Sequence, residues 1–172
     1  MKQAPDDRLS ARGLRVAIVR SLFNRPVTDG LLAGAREALL GMGADGKRVQ
    51  VYDLPGAFEL PLAAQAAARS GRFDAVVALG AVIEGETDHY EHVAREAASG
   101  LAAVARETGV PVAFGVLTVR QEEHALRRAA AGPDNKGAEA ARAAVMTAVA
   151  LRAIGARPGK RARRRSASRR KG

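Results

Sequence analysis

The densest run of reactive side chains in this 172-residue sequence is Gly85-Glu86-Thr87-Asp88-His89-Tyr90. Gly85 permits a tight turn. Glu86, Thr87 and Asp88 stand where the following helix must begin, so unpaired backbone N–H groups and the positive helix end could receive an anion there. His89 is the only histidine directly on the turn, and an imidazole moves protons near neutrality. The same residues also read as a capped turn, with Thr87 or Asp88 as N-cap and His89 on the surface. His89 and His92, with Asp88 and Glu91, have helical spacing but lack a third well-placed ligand, so no metal is expected. His124 lies in a charged stretch and should be exposed.

Other candidates are spread along the chain. Phe23-Asn24 offers a stacking surface beside an amide, or simply a core phenylalanine. Glu59 follows Gly56-Ala57-Phe58 and could hydrogen-bond a polyol, or serve as a first-turn acid favoured by the helix dipole. Arg127, Arg128 and Lys136 are candidate phosphate ligands or ordinary solvated charges. One apparent motif fails. Residues 41–47 (GMGADGK) fit the start of a phosphate-binding loop, but Arg48 replaces the required Ser or Thr. The segment also follows a helix and precedes a strand, the reverse of that motif's order.

Those residues need a frame. Residues 14–23, 48–55, 73–83 and 111–119 are β-branched or continuously apolar runs that read as strands, with 73–83 central. Ala-rich amphipathic runs fall between and after them. The first helix should start at the capping groups of Thr28 and Asp29 and end near Met42, at Gly41 and Gly43. Further helices are expected over 57–71, from the 84–90 turn to about Thr108, over 121–131, and from Lys136 to Ile154. Alternation of this kind gives right-handed crossovers and an α/β three-layer sandwich around a four-stranded parallel sheet of flavodoxin-like type. In such sheets ligands bind beyond the carboxyl ends of the strands. Phe23-Asn24, 55–59, 83–89 and the residues from Thr118 onward all gather there.

Bulk composition removes several classes of function. With no cysteine there are no disulfides, thiolate nucleophiles or Cys-ligated zinc. No apolar run approaches the ~20 residues of a membrane span. Residues 1–13 lack the apolar centre of a signal peptide and read as a flexible arm, so a cytoplasmic protein without membrane contact is the expectation. The formal charge of +10 is uneven: residues 157–172 hold nine Lys/Arg and no acid, leaving about +1 for the rest. The 14–155 domain is therefore nearly neutral. The 156–172 tail has nothing apolar to bury and should be disordered.

Taken in order, five blocks resemble the lumazine synthase family: Phe23-Asn24 with Thr28-Asp29, then 55–64 (PGAFELPLAA), 78–90 (ALGAVIEGETDHY), 109–118 (GVPVAFGVLT) and 135–141 (NKGAEAA). The resemblance covers about residues 14–155. It implies condensation of 5-amino-6-(D-ribitylamino)uracil with 3,4-dihydroxy-2-butanone 4-phosphate, releasing phosphate and water, in riboflavin biosynthesis. By that resemblance Phe23 stacks on the pyrimidine with Asn24 beside it, and Ala57, Phe58 and Glu59 hold the ribityl chain. Val82 and Ile83 offer backbone contacts to the ring. Gly85, Glu86, Thr87 and Arg128 bind phosphate, and His89 shuttles protons. Phe114 and Lys136 come from a neighbouring subunit or close the pocket. No metal or organic cofactor is implied.

The resemblance also implies a homo-pentamer, with a 60-subunit icosahedral shell as a larger assembly and riboflavin synthase as a functional partner. Two positions depart from the family pattern. Glu84 stands where many members have arginine, and would weaken phosphate binding unless it points to solvent or pairs with a base such as Arg128. Pro133 stiffens the turn before Lys136, which the family uses to pack pentamers, so a ring is the firmer expectation than a shell. The alternative reading is a flavin- or nucleotide-binding flavodoxin-like module with a nucleic-acid-binding tail. It fits less well: 23–29 (FNRPVTD) lacks the hydroxyl- and Gly-rich phosphate loop of a flavodoxin. For the tail, the expectation is non-specific, salt-sensitive polyanion contact, or a solubilising role alone.

Overall fold

A computed structural model describes residues 9–155; residues 1–8 of the expected arm and the 156–172 tail lie outside the described residues. Strands β1 (Val16–Ser21), β2 (Val49–Leu54), β3 (Ala75–Ile83) and β4 (Val112–Val119) form one parallel sheet in the order β2-β1-β3-β4. Helix α1 (Arg25–Gly41) follows β1, α2 (Leu60–Arg69) follows β2, and α3 (His89–Thr108) follows β3. After β4 come α4 (Glu122–Ala129) and α5 (Lys136–Ile154).

Side chains of the two inner strands divide by parity, as a sheet covered on both faces requires. Val16 and Ile18 of β1, with Ala75, Val77, Leu79 and Ala81 of β3, join the core under α1, α4 and α5. Their alternates Ala17, Val19, Val76, Ala78 and Val82 join the opposite core under α2 and α3. Packing starts ahead of Leu14: Ala11 is fully buried and donates its N–H to Met42 O.

Helix α1 begins earlier than expected. Thr28 and Asp29 are not its caps. The helix opens at Arg25, with a proline in its first two positions, where a missing N–H costs no helical bond. Asn24 occupies the N-cap in the left-handed conformation (φ 59°), among the described residues the only non-glycine with positive φ. Thr28 faces the core, and Asp29 points back to β1 instead. There its carboxylate meets Arg20, 2.5 Å away, while Arg20 also forks onto Asp53 at 2.8 and 2.9 Å. Arg20 is only 7% exposed, so its charge is matched where β1, β2 and α1 meet. Those hydrogen bonds from Arg20 hold the Asp53 carboxyl below its usual range, against the effect of burial.

The 41–47 segment is the helix-ending turn its order implied, with Gly43 at φ 85° and the Asp45 side chain accepting from Lys47 N. On the same face of the sheet, α1 and α5 touch backbone to backbone. A Cβ at Gly137 would fall on the Leu31 carbonyl oxygen, so only glycine fits. Asn135, buried at the start of α5, caps it by accepting from Ala138 N and donates to the carbonyls of Gly30, Ala129 and Ala130. One amide therefore joins α1, α4 and α5.

At the amino end of the sheet, Asp74 accepts from the backbone and side chain of Arg15 (2.8, 3.1 and 3.3 Å) and lies 3.2 Å from Arg152 of α5. Burial alone would raise the Asp74 carboxyl, but these bonds and both guanidinium charges outweigh it and hold it low. A carboxyl lowered in the folded state stabilises the fold above its unfolded pKa, about 3.9, and stops doing so as pH falls through its lower folded value. Asp74→Asn is therefore expected to destabilise the protein by on the order of 1–3 kcal/mol at pH 7. The wild-type advantage should shrink as pH drops below about 4. Denaturant midpoints across that range measure both; a pH-independent difference would contradict the ion-pair account.

Candidate active site

Because all four strands run the same way, their carboxyl ends share one edge, and the first βα turns meet there. The β1–β3 ladder stops at Arg20 and Leu79, whereas β3 continues with β4 as far as Ile83 and Val119. Beyond Leu79, then, β3 has no strand on its β1 side. A cleft of about 520 Å³ opens in this gap, a size suited to a small organic ligand.

Asn24 forms one wall. Asparagine tolerates the left-handed region better than most residues, and here its Nδ2 donates to Ala81 O at 3.0 Å. That turn throws Phe23 outward. Its ring is 69% exposed at the cleft lip, so the ordinary expectation of a core phenylalanine does not hold. The turn after β2 supplies Ala57, Phe58 and Glu59; Ala57 is buried, while Phe58 is 58% exposed. Glu59 lies in the short 3-10 turn Ala57–Glu59, with its carboxylate close over Gly56. Val82 and Ile83 form the floor.

The α3 side completes the cleft. Gly85, Thr87 and His89 line it, and Asp88 occupies the N-cap without capping through its side chain. The first-turn N–H groups are thus left without a side-chain acceptor, as an anion site needs. The capped-turn reading places Asp88 correctly but not its carboxylate. Tyr90, His92 and Val93 also line the cleft, and sequence reasoning did not assign them to it. The signal was present: His92 and Val93 are three and four positions after His89, on the same helix face. Among the described residues, no three His, Asp or Glu side chains converge as a metal site.

Four candidates are not in this cleft. Glu86 is adjacent in sequence but does not line it. Phe114, Arg128 and Lys136 instead share a separate concavity of about 260 Å³ between β4, α4 and α5. Phe114 is 47% exposed there, and Lys136 pairs with Glu139 of its own helix. Arg128 donates to His124 O at 3.0 Å and has no carboxylate partner among the described residues, whereas Arg127 pairs with Glu123 at 3.2 Å. Glu84 pairs with Arg120 at 3.5 Å, not with Arg128. Its charge is thus partly answered beside the turn that opens α3.

Residues 13–152 match the family model described as 6,7-dimethyl-8-ribityllumazine synthase. A protein of Syntrophus aciditrophicus (strain SB) named 6,7-dimethyl-8-ribityllumazine synthase is 47% identical over 154 residues, which are 90% of this chain and 100% of that relative. With the match spanning the whole sheet and every turn of the cleft, this chain belongs to the 6,7-dimethyl-8-ribityllumazine synthase family.

Proposed function

We propose that this chain is a transferase of riboflavin biosynthesis, condensing 5-amino-6-(D-ribitylamino)uracil with 3,4-dihydroxy-2-butanone 4-phosphate to 6,7-dimethyl-8-ribityllumazine. The observation that carries the reading is the convergence of an exposed aromatic, a carboxylate, an uncapped helix start and an imidazole in one cleft. Phe23 provides a flat apolar face for the pyrimidine, with Asn24 at its edge. Glu59, with Ala57 and Phe58, suits the hydroxyls of the ribityl chain, since a carboxylate accepts from several of them. The backbone of Val82 and Ile83 borders the ring. Gly85 and Thr87 hold the phosphate at the positive end of α3, with Glu86 contributing through its backbone N–H and its side chain turned out of the cleft.

The chemistry divides into steps this equipment can serve. The 5-amino group attacks the ketone, and loss of water gives an imine. A proton then leaves the adjacent carbon, and phosphate departs with the C–O bonding pair. The resulting enol takes a proton at its terminal carbon and becomes a new ketone at the former alcohol carbon, which the ribitylamino nitrogen attacks to close the ring with loss of a second water. His89 takes and returns protons through this sequence. The helix start stabilises the leaving phosphate. Holding both reactants in one cleft can contribute about 7–11 kcal/mol through effective molarity.

Phe114, Arg128 and Lys136 belong to the same proposal through a neighbouring subunit. Their concavity is separate from the cleft within one chain, and exposed Met146 and Val149 on α5 leave an apolar face for a partner copy. A closed homo-pentamer joins one chain's cleft to the next chain's Arg128. The shell and the link to riboflavin synthase are larger assemblies that family membership suggests. Among the described residues no helix is long and apolar enough to cross a membrane.

Mixing the two substrates with the protein should produce lumazine absorbance together with inorganic phosphate. His89→Ala is expected to lower kcat roughly 10- to 10⁴-fold, the range of general acid–base contributions. An unchanged kcat at saturation removes His89 from the mechanism. Charge-assisted contacts make an arginine–phosphate bond worth more than a neutral one. Arg128→Ala should accordingly raise KM for the butanone phosphate at least about tenfold, and Arg127→Ala much less; equal small effects would reject the Arg128 assignment.

A further inference from the structure

The cleft is lined by four side chains that can take or give a proton: Glu59, His89, Tyr90 and His92. The proposed reaction occupies Glu59 with hydroxyls and His89 with protons. Tyr90 is half-buried and packs against the core under α2 and α3. His92 is exposed, and among the described residues it has no hydrogen-bond or ion-pair partner. Nothing in the packing of the chain therefore accounts for a second imidazole in this cleft.

The course of α3 decides where that imidazole stands. The helix opens beside Gly85 and Thr87, and farther on it passes the start of α2. There Gly100 meets Pro61 so closely that a Cβ on the glycine would lie 2.7 Å from the proline Cβ. The short turn Ala57–Glu59 directly precedes α2, and α3 packs against it too. Moving along α3 from His89 thus leads away from the Gly85–Thr87 turn and towards the Ala57–Glu59 turn. His92 is three residues on, a rise of about 4.5 Å along the same helix face. His89 stands at the end of the cleft assigned to phosphate, and His92 is nearer the end assigned to the ribityl chain.

We propose that His92 is a second proton carrier of this site, serving the nitrogen that bears the ribityl chain when the ring closes. The inference rests on the lumazine-forming reading of the cleft. Loss of phosphate and ring closure move protons at different atoms, and the closing nitrogen lies on the ribityl side. That nitrogen attacks the ketone carbon, and the carbonyl pair moves onto oxygen. His92 takes the proton from the nitrogen and passes it to that oxygen, which becomes a hydroxyl. A second proton, given up by the pyrimidine ring N–H, reaches the hydroxyl through the same imidazole. The hydroxyl leaves as water with the C–O pair, and the pair left by the ring N–H completes the conjugated product. The imidazole ends as it began. It suits both transfers because one ring nitrogen accepts while the other donates near neutrality.

Single-turnover mixing with protein in excess separates the two steps: phosphate release reports the elimination, and lumazine absorbance reports the closure. Wild type, His89→Ala, His92→Gln and His92→Ala are compared with a protein-free reaction, and unfolding midpoints establish that each is folded. In His92→Gln, phosphate should appear at close to the wild-type rate while lumazine formation slows roughly 10²-fold, the lower end of general acid–base contributions. His89→Ala should delay both products together. Added imidazole should restore much of the lost closure rate to His92→Ala, because the position is open to solvent. Wild type that yields neither lumazine nor phosphate would overturn the reading of the cleft, and this inference with it. Wild type that forms lumazine, with both products in His92→Gln slowed equally or not at all, would overturn the role of His92 alone. So would a closure defect in His92→Ala that imidazole leaves unchanged, which would mark a purely structural residue.

Discussion

A single hydrogen bond, from the Asn24 amide to the Ala81 carbonyl, sets the geometry on which the cleft depends. The β1–β3 ladder ends four residues before β3 does, which leaves the far end of β3 without a neighbour on that side. An unpaired backbone edge left in that gap would invite the chain to close over it. Asn24 satisfies one acceptor of that edge and, by turning left-handed, sends α1 away and Phe23 outward. The same residue accepts from Val27 N and Thr28 N to begin α1. Few other side chains combine tolerance of positive φ with a donor of that reach.

The sheet's two ends are stabilised by ion clusters of different construction. Near the cleft, Arg20 is nearly buried and shared by Asp29 and Asp53, so β1, β2 and α1 are fixed beneath the turns that line it. At the far end the arrangement is inverted, with the carboxylate of Asp74 enclosed (16% exposed) and two more exposed arginines around it. Breaking either cluster by removing one partner leaves a partly buried charge, which costs more than an exposed pair contributes. Helix packing adds a third constraint, since α1 and α5 meet at glycine and Asn135 spans the junction.

Much of this was legible from residue order, and the exceptions have physical causes. The β-branched run 14–23 and the apolar run 73–83 are direct consequences of burial on both sheet faces, so the two inner strands are legible in the sequence. The start of α1 was misplaced because Thr28 and Asp29 have capping chemistry, yet tertiary partners claimed them: the core took Thr28 and Arg20 took Asp29. Pro26 and Asn24 were the better local signals. Residues of the cleft drawn from three different turns could be grouped from strand polarity alone. Arg128, Phe114 and Lys136 could not, because nothing local to a single chain unites them with His89. In the proposed ring that connection is made by a second copy of the chain.

The account's central claim is that a lumazine-forming site joins the cleft of one chain to the β4–α4–α5 concavity of another. Mixed assembly tests it most directly. His89→Ala and Arg128→Ala proteins, each impaired alone, are unfolded together, refolded as a mixture, and assayed for lumazine formation. If each site takes His89 from one chain and Arg128 from its neighbour, about one quarter of the junctions in randomly mixed rings hold both intact residues, and activity should return to that fraction of wild type. If the mixture is no more active than the average of its components, the site lies within one chain and the account is wrong.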